Sequence, residues 1–337
     1  MKDMATEFDP NAPALQWRLF GLPFSVEESE LVIVPVPVDM TTSSGKGTAH
    51  GPQAVLDASA QVDLYDVTYK NFREKGISML PIQEDIVDPA AATMAQSIID
   101  ALAEWKEPSE QDLGIVNKAS QKINEYVYTQ TKKLLDQWKK VALLGWDHST
   151  PYGFMKALGE VHGDFAVLQM DAHCDLRQAY EWFTYSHASI FYNVMETIPQ
   201  VSKLVQVWIR DFCEEESDYA TTHADKIAIH FDRHIQQSLY SGTTRADYMR
   251  TIVDQLPEKV YISFDIDALD PKLCGHTGTP VPGGLEFEQA AMLLDMVAAK
   301  KTIIWFDLNE VGNDPRDANV WARMLFRLCA QFLSSAK

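Results

Sequence analysis

Three short stretches concentrate side chains able to hold cations and move protons: Trp146-Asp147-His148-Ser149, Asp171-Ala172-His173-Cys174-Asp175, and Asp265-Ile266-Asp267-Ala268-Leu269-Asp270-Pro271. In an extended segment residues i and i+2 point the same way. Asp171, His173 and Asp175 can therefore face one cavity, and so can Asp265 and Asp267. With His148 the set holds two imidazoles and four carboxylates. So many carboxylates cannot be buried together without counter-charge. They exceed the needs of one tetrahedral zinc site. They suit two cations sharing bridging carboxylates, roughly 3.5–4 Å apart. Oxygen-rich donors mixed with imidazole favour manganese or a similar borderline ion over a thiolate-seeking one. Water between such cations loses a proton far more readily than bulk water, which yields a nucleophile at neutral pH. The cations also stabilise charge on a tetrahedral intermediate. Each motif alone also fits a solvated acidic loop or a turn. All three in order, each closing an apolar run, point to a dinuclear hydrolase.

The elements that must position these motifs are legible as apolar runs: Leu31–Pro35, Ile77–Pro81, Val141–Leu144, Phe165–Met170, Leu204–Ile209, Ile227–Phe231, Val260–Phe264 and Thr302–Phe306. The runs are continuous rather than alternating, as in strands buried on both faces of a parallel sheet. Helix-length segments lie between them, among them Met94–Trp105, Ala119–Trp138, Phe287–Ala299 and Val320–Phe332. This alternation predicts a three-layer α/β/α sandwich with a mostly parallel sheet of about eight strands. In such sheets sites form at the carboxyl ends of strands, where all three motifs fall. Residues 1–25 read as an N-terminal arm, mobile or engaged in an oligomer contact. Residues 26–337 read as one catalytic domain, with 84–118 as an insertion.

The chain of 337 residues carries a net charge of −19. That argues against broad contact with nucleic-acid phosphates. It is compatible with mild steering of cationic small substrates, although solubility explains it as well. No apolar run is long enough for a membrane span, and the first residues lack a signal-peptide core. Cys174, Cys213, Cys274 and Cys329 are widely spread without a C-x-x-C pair, so reduced thiols and a cytoplasmic location are expected.

At these motifs the chain resembles the ureohydrolase family of arginase, agmatinase and formiminoglutamase, from about Val32 to the C-terminus. The family patterns G-G-D-H-S, D-A-H-x-D and S-x-D-x-D-x-x-D-P are similar to Gly145–Ser149, Asp171–Asp175 and Ser263–Pro271. Gly47–Pro52 resembles the family's early glycine-rich loop, and Gly278–Leu285 its turn after the third motif. The resemblance implies an arginase-like fold, usually trimeric or hexameric. It implies that His148, Asp171, His173, Asp175, Asp265 and Asp267 bind two Mn2+, with Ni2+ or Co2+ able to use the same ligands. Glu310, in Asp307–Val311, would hold the guanidinium, and His187 would pass protons to the leaving amine. Asp175 would share in catalysis. Asp147 and Asp270 would orient ligands from behind or form turns. The bland alternatives are a surface or helix-start glutamate for Glu310 and a structural role for His187.

The chain departs from the family at Trp146, which replaces a glycine. Arg177 follows the second motif, as in formiminoglutamase-like members, and either meets a substrate carboxylate or pairs with a nearby acid. His187 and the aromatic loop Tyr180, Trp182, Phe183 and Tyr185 favour an alkyl guanidine such as agmatine. His223, His230, His234 and His276 read as structural. The leading expectation is hydrolysis of agmatine to putrescine and urea. Formiminoglutamase, arginase or another guanidino hydrolase is the alternative. A single-zinc deacetylase-like enzyme and a non-catalytic metal-stabilised scaffold are more remote.

Overall fold

Eight apolar segments pair side by side, all in parallel, in the order β2-β1-β3-β8-β7-β4-β5-β6. They are β1 (Leu31–Pro35), β2 (Ile77–Met79), β3 (Lys140–Leu144), β4 (Phe165–Met170), β5 (Val201–Ile209), β6 (Ile227–Phe231), β7 (Lys259–Asp265) and β8 (Thr302–Asn309). The computed structural model describes residues 8–42, 50–145 and 147–335. Every residue of β1 and β4 is buried. This is the physical reason for their unbroken apolar character, because helices cover both faces.

The described helices are α1 (Gly51–Ser59), α2 (Pro89–Ala103), α3 (Glu110–Leu135), α4 (Pro151–His162), α5 (Ile190–Thr197), α6 (Glu214–Thr222), α7 (Asp232–Tyr240), α8 (Arg245–Gln255), α9 (Phe287–Lys300) and α10 (Pro315–Ser335). On one side α3 packs between α2 and α4 and against β1 and β3; on another α10 packs against α1, α9 and β8. The expected α/β/α sandwich is what the chain forms.

Helix α3 begins nine residues before the predicted start at Ala119. Its first turns are polar and are set by end chemistry instead of an apolar stripe. Ser109 caps the Asp112 amide at 3.1 Å, and Glu110 and Asp112 meet the positive helix end, while Lys132 and Lys133 meet the negative one. Segment 84–118 therefore supplies α2 and the start of α3. At the other end of the chain, the arm expectation covers residues that are packed: Leu19, Phe20 and Leu22 are buried, and Phe20 meets Phe326 edge-on at 5.2 Å.

Strands β3, β8, β7 and β4 lie side by side, although the chain reaches β8 and β7 last. Their register aligns Leu144 with Leu308, Asp265 with Asn309, and Met170 with Phe264. The residues that follow each strand thus emerge at one height along the same edge.

Candidate metal centre and active site

His148 enters from the loop after β3. Gly145 makes that loop possible, because a Cβ there would lie 2.0 Å from Asn309 Oδ1 and 2.2 Å from Thr150 Oγ1. Asp171, His173 and Asp175 follow β4, with Asp175 at a left-handed φ of 55°. Asp265 ends β7, and its side chain accepts the Asp267 amide at 2.8 Å in a short 3-10 turn. Glu310 follows β8 at φ 62°. Such strained conformations persist only where their surroundings enforce them.

The six expected ligands converge. His148 Nδ1 lies 2.9 Å from Asp171 Oδ2, 3.1 Å from Asp175 Oδ2 and 3.3 Å from Asp265 Oδ2. His173 Nδ1 lies 2.9 Å from Asp267 Oδ2 and 3.6 Å from Asp171 Oδ1. Two groups able to hold a cation result, His148–Asp171–Asp265 and Asp171–His173–Asp267, with Asp171 common to both. His148 and all four carboxylates are buried, and His173 is half-buried.

The donor set fits divalent cations. His148 Nδ1 touches three carboxylates yet has a hydrogen-bond geometry with none. A lone pair aimed into a carboxylate cluster is what a cation between them requires. Without a cation the protons compensate. Burial opposes charge on His148 and His173, but the adjoining carboxylates outweigh it. They hold His148 well above the usual imidazole range and push His173 up to about 12. Asp175 is pushed up to about 7 by burial and the charge on Asp171, and burial beside Asp267 holds Asp265 well above the carboxylate range.

The loops are braced from behind. Gln169 Nε2 donates to Asp171 Oδ2 at 2.8 Å, and the Ala172 amide donates to Asp267 Oδ1 at 2.9 Å. Arg210 Nη2 donates to the backbone of Asp267 at 2.5 Å and of Val281 at 3.0 Å, tying the third motif to the turn after it. Gly284 in that turn has φ 94°, and a Cβ would sit 2.6 Å from Ala268 O. Asp147 accepts from the Ser149 amide at 3.0 Å and from Thr41 Oγ1 at 3.2 Å. It shapes the His148 loop. Asp270 accepts from the Lys272 amide at 3.0 Å and pairs with its ammonium. Asp270 thus takes the turn-forming reading, with no contact to a ligand carboxylate.

Glu310 Oε1 accepts the His148 amide at 2.9 Å. Burial and the neighbouring Asp147 hold its carboxyl well above the usual range. His187 lines a cleft of about 180 Å3 with His173, Asp175, Arg177, Tyr180, Asp211, Phe212, Glu216 and Thr279. Burial, seconded by the His173 imidazole, pushes His187 down to about 4, so it is neutral at pH 7. A cavity of about 580 Å3 lies at the β2 edge beside Trp17 and Arg18 and contains none of the six residues.

Arg177 takes the neighbouring-acid alternative. Its Nε lies 3.8 Å from Glu216 Oε2, and its guanidinium stacks on Tyr180 at 5.0 Å. Glu216 is buried and also accepts the Leu176 and Cys213 amides, at 3.0 and 2.9 Å. Of the predicted aromatic loop only Tyr180 lines the cleft. Trp182 faces solvent, Phe183 is in the core, and Tyr185 meets Tyr152 at 5.2 Å. Trp146 and Gly47–Ala49 lie outside the described residues, while Gly51 and Pro52 open α1. His276 joins Asp314 and Asp317 in a surface cluster, where Arg316 Nη2 already stands 3.3 Å from it.

Sequence reasoning passed over Asp211, Gln169 and the buried Asp307. Asp211 carried a usable signal, since Arg210-Asp211 directly follows β5 at the same sheet edge. Gln169 and Asp307 lie within strands and carried none.

The sequence pattern of the arginase family matches residues 29–334. An N(1)-aminopropylagmatine ureohydrolase from Thermus thermophilus is 31% identical over 287 residues, covering 85% of this chain and 84% of its own. An agmatinase from Bacillus anthracis is 28% identical, with 86% and 83% covered. The proclavaminate amidino hydrolase of Streptomyces clavuligerus has the same fold, with a TM-score of 0.72 at 20% identity, covering 95% and 97%. Motifs, fold and kinship agree: the chain belongs to the arginase family and is a hydrolase of C–N bonds in linear amidines.

Proposed function

We propose that this hydrolase cleaves agmatine to putrescine and urea on a pair of divalent cations, Mn2+, held by His148, Asp171, His173, Asp175, Asp265 and Asp267. The observation that carries the reading is the sharing of Asp171 between two buried donor clusters, with Glu310 on the same rim. When bound, the cations would acidify a water and so supply a nucleophile at neutral pH. Glu310 grips the planar guanidinium through paired N–H···O bonds and turns its carbon toward the cluster. An arriving guanidinium favours the charged form of that buried carboxyl. Asp175, a ligand carboxylate beside that water, would share in catalysis by accepting its proton. Neutral His187 accepts a proton in the cleft and returns it to the departing amine.

The outer cleft supports an amine-tailed substrate. Arg177 is engaged by Glu216 and Tyr180. Asp211 is exposed there, with no lysine or arginine paired to it among the described residues. A tail ammonium therefore finds a carboxylate. The names of the similar ureohydrolase and agmatinase point the same way. A carboxylate-tailed guanidine or formiminoglutamate is the second reading, favoured by the part of Arg177 that remains open to the cleft.

A urea-release screen tests this. Agmatine, aminopropylagmatine, arginine and guanidinobutyrate are offered with Mn2+ or Ni2+, and formamide release from formiminoglutamate is followed in parallel. Agmatine should give the highest kcat/KM, and Asp211→Asn should raise its KM. Cations bound without turnover of any guanidine would sink the proposal and favour a scaffold. One zinc per chain would favour a deacetylase-like centre.

A further inference from the structure

Tyr261 lies wholly buried on β7, two residues before Ser263 and four before Asp265, so the three share one strand face. The rings of Phe154 and Phe165 stand 5.8 and 6.2 Å from its own. Its hydroxyl donates to Asp307 on β8. Asp307 is itself fully buried, lies opposite Ser263 in the strand register, and lines no described cavity. Among the described residues no lysine or arginine pairs with it. A buried carboxylate without a cation is destabilising unless donors surround it. Here the donors are Tyr261, Asn309 Nδ2 and Ser263 Oγ, the last 3.0 Å from each oxygen.

Ser263 has one hydroxyl proton. If it goes to Asp307, the serine oxygen faces its other neighbour as an acceptor. That neighbour is His148 Nε2, at 2.9 Å. The direction of the chain is then set: Nε2–H donates to Ser263, Ser263 donates to Asp307, and Tyr261 steadies Asp307 from the far side. Fixing the proton on Nε2 leaves the Nδ1 lone pair pointing at the carboxylates of Asp171, Asp175 and Asp265.

We propose that Tyr261 and Asp307 are positioning residues which, through Ser263, lock His148 in the tautomer that offers Nδ1 to a cation. Neither residue touches cation or substrate. The proposal rests on the paired-cation reading above, and the experiment separates the two.

Metal-free protein is titrated calorimetrically with Mn2+ as wild type, Tyr261→Phe, Asp307→Asn, Ser263→Ala and the Tyr261→Phe/Ser263→Ala double variant. Wild-type stoichiometry tests the cation pair, and the differences between variants test the relay. Ser263→Ala and Asp307→Asn should weaken one of the two binding steps about 10–100-fold, the size expected when a metal-bound histidine loses its hydrogen-bond partner. Tyr261→Phe, which removes only a hydroxyl from the core, should weaken the same step by a smaller factor. It should add nothing in the Ser263→Ala background, because the chain is already cut there. Wild-type affinity in Tyr261→Phe overturns the proposal. So does equal weakening of both steps, or an undiminished Tyr261→Phe effect without Ser263. If Asp307→Asn does not fold, the tyrosine and serine variants decide.

Discussion

Protonation and cation binding compete for the same atoms at the centre. In the metal-free protein Asp175 is raised to about 7 and His173 to about 12, against about 3.9 and 6.5 in an unfolded chain. The folded state therefore holds more protons than the unfolded one. The Asp175 contribution to stability is complete below about pH 4 and is lost by about pH 7; that of His173 declines above about 6.5. A cation needs both groups deprotonated, so binding must expel protons and tighten as pH rises. The Mn2+-induced increase in Tm should grow from pH 6 to pH 8.5, with proton release measurable in weakly buffered solution. A shift independent of pH would contradict the assigned ligands. Side-chain removal should separate holding from gripping. Asp175→Ala and Asp267→Ala should lose both metal and turnover. Glu310→Ala should retain both ions, counted by elemental analysis, while kcat falls roughly 100-fold or more, the scale of a lost charge-positioning contact. A fully active Glu310→Ala enzyme ends its assigned role. His187→Ala should lower kcat by about 100-fold or more with metal intact.

At the scale of elements, the site depends on how closely four strand ends approach. Gly145 is the tightest point, because the His148 loop crosses Asn309 and Thr150 where no Cβ fits. Gly145→Ala should push that loop away from β8, carrying His148 and the Glu310 contact with it. The expected outcome is about 1–3 kcal/mol of lost stability in denaturant melts, as for other overpacked sites, together with weakened metal binding. An alanine variant with wild-type stability and metal affinity would show that the loop relaxes freely. Elements were also where local patterns misled. The polar start of α3 hid nine helical residues, and the aromatic loop 180–185 was spread over core, surface and cleft. Alternating directions along an irregular loop follow from its backbone dihedrals, which side-chain types do not encode.

For the molecule as a whole, the centre joins β3 and β4 to strands that the chain supplies last. Cations that bind the folded state alone stabilise all of it, by about 2.7 kcal/mol per site at 100 times Kd. Removing them with a chelator should lower Tm in a single cooperative step and not melt one half first. No described helix is long and apolar enough to cross a membrane. Trimeric or hexameric assembly remains our proposal from family membership, and light scattering on the purified chain checks it; a monomer at micromolar concentration would refute it. All four cysteines are unpaired.

The sequence by itself determined the sheet, the family and the six residues we propose as ligands. Continuous apolar runs between helix-length segments suit strands buried on both faces, and acids that directly follow such runs fall at the sheet edge where sites form. Strand order, the partner of Arg177 and the turn role of Asp270 were decided only in three dimensions. So was the chain from Tyr261 to His148, which joins β7, β8 and the loop after β3. Each of these depends on which distant segments become neighbours, and a buried tyrosine or aspartate looks in sequence like any other strand residue until the register sets its partner opposite.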